Sequence, residues 1–431
     1  MIARKRKKAS YALGAQEPQR TVEPEDGAGA ALALSDAARA GETVVAYGGG
    51  TLQHAANAPA RYDVALLTRR LDALHAYDPR ELTAGAGAGM TLESLRRTLA
   101  EHRQFVPFDA PRADDATIGG TLAAGWAGPR RLAYGRPRDL LIGATIALPD
   151  GTLASSGGMV VKNVTGYDMG KLYVGSHGTL GVLVRANLKV LPAPAARRLA
   201  ISPFDADHRA RVVAHARSRL LEPSALLVID GFAGTAADAP RDRRPRVVAL
   251  FEGSESWVER AMREYRSALG AAGVGATRVL DDASADRVFQ DVLDAYVESS
   301  SKASVTFLAR GLPSTAAERV DGAIALGAMF RATHAGAGYG VDAIADLRTG
   351  DVVARFGASG YDATRAAEFT EAATTLRDAL GGARRIAAHP SVAALVDAWG
   401  DAPSTLPIMR ALKERFDPKQ VLAPGRFVGG I

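Results

Sequence analysis

Three separate clusters of glycine in the first 195 residues constrain this chain more than any other feature. Gly48-Gly49-Gly50-Thr51 follows a strand-like run at residues 43–47, which ends in Tyr47. Gly85-Ala86-Gly87-Ala88-Gly89 follows residues 82–84, and Thr117-Ile118-Gly119-Gly120 opens a run of small residues. Glycine permits φ > 0 and lets backbone approach a ligand closely. A turn of consecutive N–H groups makes an anion-binding nest. None of the three is a Walker A loop, because the one Gly-Lys pair, Gly170-Lys171, is followed by Leu172. The second cluster lacks the GxGxxG spacing and closing acid of a dinucleotide fingerprint.

A chain of 431 residues predicts two or three domains, and 47% hydrophobic with 23% charged residues is the balance of a soluble globular protein. Cysteine is absent, which rules out thiolate metal sites, a Cys nucleophile and iron–sulfur clusters held by this chain. Any electron it handles sits on a bound organic cofactor or a partner. Five of the six net positive charges come from Arg4, Lys5, Arg6, Lys7 and Lys8. The remaining body is nearly neutral, which argues against nucleic acid as a partner. No apolar core follows the basic run, so it is not a secretory signal. The best spanning candidate, residues 140–161, contains Pro149 and Asp150 and reads as strand–turn–strand. The expectation is a cytoplasmic protein without a transmembrane segment, peripheral to the inner membrane at most.

Residues 1–27 are polar and are expected to form a disordered basic tail. Helical spacing appears at 30–40, strands at 43–47 and 63–67, and Thr91 opens a helix to about Glu101. Pro149-Asp150-Gly151 marks a hairpin between residues 140–148 and 152–155. Residues 179–191 read as one long strand or a pair. Beyond Pro194 the pattern becomes strand, helix, strand, repeated. It includes strands near 330–334 and 352–356 and helices around 363–380, 391–399 and 406–416. This predicts an α+β chain, its second half an antiparallel sheet with helices on one face.

The most specific segment is Lys162-Asn163-Val164-Thr165-Gly166-Tyr167-Asp168, continuing to Gly175-Ser176-His177-Gly178-Thr179-Leu180-Gly181-Val182. The order Gly-Gly-Gly-Thr, Thr-Ile-Gly-Gly, Asn-Val-x-Gly-Tyr-Asp and Gly-Ser-x-Gly-Thr-Leu-Gly resembles the FAD-binding domain shared by vanillyl-alcohol oxidase and p-cresol methylhydroxylase, the PCMH type. Its wording is most similar to glycolate oxidase FAD-binding subunits. Phe416-Asp417-Pro418 and Pro424-Gly425-Arg426 resemble the C-terminal signature of the same oxidoreductases. The resemblance implies a two-subdomain FAD-binding domain at 28–195, an α+β cap or substrate domain at 196–405, and a segment at 406–431 that returns to the FAD domain.

It also implies site residues. Gly48, Gly49, Gly50 and Thr51, with Tyr47 beside them, and Thr117, Ile118, Gly119 and Gly120 would line the pyrophosphate. Gly178 and Gly181 would join Gly119 and Gly120 as walls for the ring, and Val182 would touch the adenine or ribose end. Arg138 reads either as a phosphate contact or as an ion-pair partner of Asp139, and Asp168 as a helix cap or a ribose contact. Tyr167 reads as core or ligand. Relatives with covalent flavin often carry a His in the first glycine loop. Here the nearest is His54, outside it, so noncovalent FAD is expected.

The resemblance further implies a small 2-hydroxy acid as substrate, a second flavin subunit and an iron–sulfur subunit. Related dehydrogenases hold a divalent metal with His-x-Gly-Asp-Gly-Asn-x-His. The matching stretch here begins His334-Ala335-Gly336 but carries Ala337, Tyr339 and Val341 at the other polar positions. One imidazole is not a catalytic metal site, which needs about three protein ligands, so no metal is expected. His334 is either a half-buried histidine without chemistry or a residual general base facing flavin N5. Arg355 and Lys302 are either carboxylate-binding or structural. Three readings result: an FAD-dependent oxidoreductase subunit passing electrons to a partner, a stand-alone FAD-linked D-2-hydroxy acid (D-lactate-type) dehydrogenase, and an inactive FAD-binding structural subunit.

Overall fold

The computed structural model describes residues 11–160, 166–217, 221–232, 244–298, 301 and 303–431. The run from Arg4 to Lys8, the motif residues Lys162 to Thr165, and Lys302 lie outside the described residues.

The first glycine loop leaves a small parallel sheet. Val44–Tyr47 pairs with Val64–Leu67, and Arg20–Val22 pairs with the other edge of Val64–Leu67. This corrects the expected low-order start for residues 11–27. Arg20–Val22 covers backbone groups that would otherwise be an open sheet edge. Leu13 is buried with Val45, Tyr62 and Leu67. The helix Gly27–Ala40 starts where Asp26 Oδ1 accepts from Gly29 N at 2.7 Å. It buries Ala30, Ala31, Leu34 and Ala37 as one stripe.

A second sheet of five antiparallel strands has the order Leu74–Asp78, Thr83–Gly87, Val182–Lys189, Leu141–Ala147 and Leu153–Gly157. The hairpin turn is held by Thr152 N donating to Asp150 Oδ1 at 2.9 Å. The helix Leu92–Ala100 is capped by Thr91 Oγ1, which accepts from Ser94 N. The small-residue run after Thr117 forms a short helix, Ile118–Ala123.

The second half builds one eight-stranded antiparallel sheet. Its two faces follow the period-two alternation of strands. Ala343, Ala345, Phe356 and Phe307 pack in one core with the helices Glu255–Ala271, Ala316–Thr333 and Ala366–Ala379. Ile344, Val353, Leu308 and Leu227 pack in another core with Leu122, Trp126 and Leu180 of the first domain. The sheet is therefore sandwiched between its own helices and the glycine-rich domain.

Two expected elements differ. Residues 330–334, read as a strand, are the end of the helix Ala316–Thr333, because Ala316, Val320, Ala323, Gly327 and Phe330 recur at helical spacing and bury one face. Residues 391–399, read as a helix, form turns. Pro390 precedes them, and the Arg385 guanidinium takes the Ala393 and Val396 carbonyls that a helix would bond internally.

The final helix, Leu406–Phe416, leads back to the first domain. Lys413, buried, donates from Nζ to Thr179 O at 2.9 Å, Asp417 Oδ2 at 2.6 Å and Leu422 O at 2.7 Å. Val44 N donates to Val421 O, and Ala423 N to Val44 O. The C-terminal strand-like stretch thus lies alongside the strand that enters the first glycine loop.

Candidate functional site

An open cleft of about 700 Å³ lies between the small parallel sheet and the five-stranded sheet. Residues 48–53 line it on one side, Val182 and Leu183 on another, and the helix Ile118–Ala123 supplies Gly119, Gly120 and Ala123. The first loop approaches its neighbours too closely for side chains. A methyl at position 49 would stand 1.7 Å from the Asp115 carbonyl oxygen. Gly50 has φ 75°, and a methyl there would meet the Tyr47 hydroxyl at 2.5 Å. Thr117 Oγ1 accepts from Gly120 N at 3.1 Å and fixes the start of the short helix.

The far end of the cleft is positively charged. Arg426 lines it, and its Nη2 donates to Gln53 O at 2.9 Å and Gln53 Oε1 at 2.8 Å. Burial lowers the Arg426 guanidinium to about 10, with nearby Arg385 acting in the same direction. His177 also lines the cleft, with Trp399 packed edge-on at 5.1 Å between ring centroids. Burial, then Arg384 and Arg426, push its imidazole down to about 3, so it is neutral at neutral pH. Its Nε2 has no hydrogen-bond partner among the described residues.

The cap sheet meets the first domain just beyond this cleft. A second cavity, with about 290 Å³ of empty space, is lined by Trp126 to Pro129 from the first domain and by Leu308, Ile344 and Asp346 from the cap. Arg131 pairs there with Asp351 at 2.9 Å. Asp346 is 4% exposed; its Oδ1 accepts from Arg348 N and Thr349 N, while Oδ2 is unpartnered. Burial raises this carboxyl to about 6. Nearby, Arg130 joins the domains: it donates to Asp109 Oδ1 at 2.7 Å and to Glu252 Oε1 at 3.1 Å across the junction. Arg197 shares Glu252 from the cap side at 2.8 Å.

The structure brings together Gly48, Gly49, Gly50, Thr51, Thr117, Gly119, Gly120, Gly178, Gly181 and Val182 around the cleft. Tyr47 and Ile118 stand behind that lining, Tyr47 under Gly50 and Ile118 in the core. Arg138 and Asp168 are not among the lining residues. Arg138 is exposed, and Asp168, also exposed, pairs with Lys171 at 2.9 Å. Tyr167 is neither core nor wall, being 91% exposed.

His334 requires a correction. It caps the helix Ala316–Thr333, on the side of the cap sheet away from the first domain, in contact with the rings of Phe330 and Tyr339. Helical burial of Phe330 turned this stretch outward, so His334 does not face the cleft. Arg355 is structural: it bonds Asp342 at 2.6 Å and lies 4.3 Å from the Phe232 ring centroid. Sequence reasoning missed His177, Gln53, Arg426 and Asp346 as site residues. For His177 and Arg426 a signal existed, since both stand inside the quoted motifs. Asp346 stands in an ordinary strand.

Comparison with known proteins bears on the same residues. The profile of the FAD binding domain family matches residues 18–157. Residues 18–157 are an FAD-binding domain. Glycolate oxidase subunit GlcE of Escherichia coli is 44% identical over 121 residues, 28% of this chain and 35% of that protein. Glycolate oxidase subunit GlcD of Bacillus subtilis is 28% identical over 52% of this chain and 49% of its own length. The chain thus spans half or less of these two relatives. D-lactate dehydrogenase of Archaeoglobus fulgidus is 26% identical over 88% of this chain and 85% of that protein. Among solved structures, p-cresol methylhydroxylase with substrate bound superposes with a TM-score of 0.70 at 15% identity, over 96% of this chain and 89% of that one. The chain has the PCMH-type FAD-binding fold, and its class is α+β.

Proposed function

We propose that this chain is an FAD-dependent oxidoreductase subunit that acts on a small 2-hydroxy acid and passes the electrons to a partner. The observation that carries the reading is the glycine-walled cleft of the FAD-binding domain, opening toward a cap sheet as it does. The residues fit the cofactor. The loop at 48–51 offers backbone N–H groups where a side chain would collide, and unpartnered polar atoms of Arg426 and His177 flank the same cleft. FAD, when bound, supplies a two-electron acceptor for the hydride leaving C2 of the acid. The binding is noncovalent, since His54 stands outside the glycine loop and the chain has no cysteine.

The chain's own residues then have three tasks. Gly48, Gly49, Gly50, Thr51, Gly119, Gly120, Gly178 and Gly181 leave room for and bond the cofactor. Arg384, which acts on His177 from the cap side and is lowered to about 10 by burial, then by Arg310, would hold the substrate carboxylate with Arg310. Asp346, titrating near neutrality at the junction, would take the hydroxyl proton. Trp126 and Tyr296 supply apolar walls to the junction cavity. The electrons would go on to a second flavin subunit and an iron–sulfur subunit, because this chain has no cysteine to hold a cluster. No helix of the described residues is long and apolar enough to cross a membrane, so contact with one would be peripheral.

A second reading, an FAD-binding subunit without its own turnover, is favoured by one observation. Ala337, Tyr339 and Val341, which stand where related dehydrogenases carry polar groups, are packed into the cap's helix-side core. Turnover of D- and L-2-hydroxy acids with an artificial acceptor decides between the two. The chain alone and the chain with its partner subunits are assayed side by side. Activity that is lost in Asp346→Asn while flavin stays bound supports the first reading. Activity carried wholly by the partners supports the second.

A further inference from the structure

Among the described residues, Arg426 is a buried cation without an anion. It is 2% exposed, and its hydrogen bonds go only to neutral atoms of Gln53. Nε and Nη1 have no partner among the described residues. Its surroundings add positive charge. Arg385 is also buried and bonds the carbonyls of His54, Ala56, Ala393 and Val396. The one carboxylate acting on Arg385, Asp397, is itself committed to Asn57 and to the N–H groups of Trp399 and Gly400. Two neighbours are left short as well: the Tyr62 hydroxyl and His177 Nε2 have no partner. The Tyr62 hydroxyl and the Arg426 guanidinium influence each other electrostatically, and Arg426 acts on His177.

A buried charge is retained when something compensates it. Here the compensation must come from the cleft that Arg426 lines. We propose that Arg426 is the charged anchor for the diphosphate of the bound cofactor, complementing the neutral backbone donors of the first glycine loop. This rests on the FAD reading above. The flavin ring is neutral when oxidised and gains negative charge only on reduction. The diphosphate carries negative charge in every redox state, so it alone offsets Arg426 in the resting protein. A guanidinium presents several N–H donors in a planar fork that matches phosphate oxygens, and the three on Arg426 Nε and Nη1 have no partner among the described residues.

The test compares two flavins, one with and one without the adenosine diphosphate arm. The full chain, stripped of flavin, is titrated with FAD and with riboflavin, which has the ring but no diphosphate, following flavin fluorescence. Arg426→Met is expected to weaken FAD by about 30-fold or more and riboflavin by no more than about two-fold. Arg426→Lys keeps the charge and should retain an intermediate, salt-sensitive affinity for FAD. Equal losses for both ligands would mean that Arg426 serves the ring, and an unchanged FAD affinity would mean that it serves neither; each overturns the proposal. If thermal unfolding shows that Arg426→Met does not fold, Arg426→Lys decides. Wild-type FAD affinity that is indifferent to salt, with Arg426→Lys equal to wild type, contradicts the anchor. A wild-type chain that takes up neither ligand defeats the FAD reading itself, an outcome distinct from any of the variant results.

Discussion

The cofactor cleft and the cap junction are built from different materials. Around the cleft the decisive residues are glycines and backbone, and their spacing is rigid: position 49 has no room for one carbon beside the Asp115 carbonyl. At the junction the decisive groups are the ends of long or buried side chains, Arg130, Arg384, Asp346 and Glu252, gathered from segments far apart in sequence. Backbone recognition demands particular residue types in consecutive order. Side-chain recognition only demands that a charge arrive from somewhere. The first kind of site leaves a motif, and the second leaves none.

The contrast can be broken most sharply at the loop. Gly49→Ala should force the loop off the Asp115 carbonyl and reduce FAD affinity by about 100-fold or more, a loss of ~2.7 kcal/mol. Flavin content of the purified variant measures this, and full loading would show that the loop is a turn without a ligand. Arg130→Met attacks the junction instead. It leaves Asp109 and Glu252 buried without their shared cation, and thermal unfolding should report a loss of about 3 kcal/mol. Little change there would mean that the apolar core alone holds cap and domain together.

A smaller effect depends on pH. Asp346 is raised from 3.8 to about 6, so the folded state binds its proton more tightly than the unfolded state. Its stabilising contribution is fully present below about pH 3.8 and is lost as pH rises through 6, about 3 kcal/mol in all. Asp346→Asn keeps the Oδ1 acceptor and should be more stable than wild type at pH 8, while the two converge below pH 4. Identical pH profiles for the two proteins would remove Asp346 from the account. The smallest effect belongs to His334→Ala. Because His334 faces away from the cleft, stability should change within about 0.5 kcal/mol and activity not at all.

Much of the first domain was legible because its elements carry local signals. Asp26 caps a helix, Thr91 caps another, and Asp150-Gly151 closes a hairpin. Ten of the residues singled out around FAD line the cleft. Of the four that do not, Tyr47 and Ile118 stand just behind that lining, while Arg138 and Asp168 were chosen for charge rather than spacing, and charge at the surface is satisfied by solvent or by a neighbour such as Lys171. The cap was legible as strands and helices in an antiparallel sheet. Which side of that sheet a residue serves is a matter of tertiary packing: the helix that ends at His334 packs on the face away from the first domain, while Asp346, paired with Leu227, lines the junction cavity. The turns at 391–399 escaped because their carbonyls are held by Arg385, a tertiary contact that no local pattern announces.

The most direct measurement is the flavin content of the purified full chain, read from its visible spectrum before and after acid precipitation. About one flavin per chain is expected, released by acid into the supernatant and identified there as FAD by mass. Flavin that stays with the protein pellet would contradict noncovalent binding. A colourless protein that cannot be reconstituted with added FAD would contradict the assignment of the cleft.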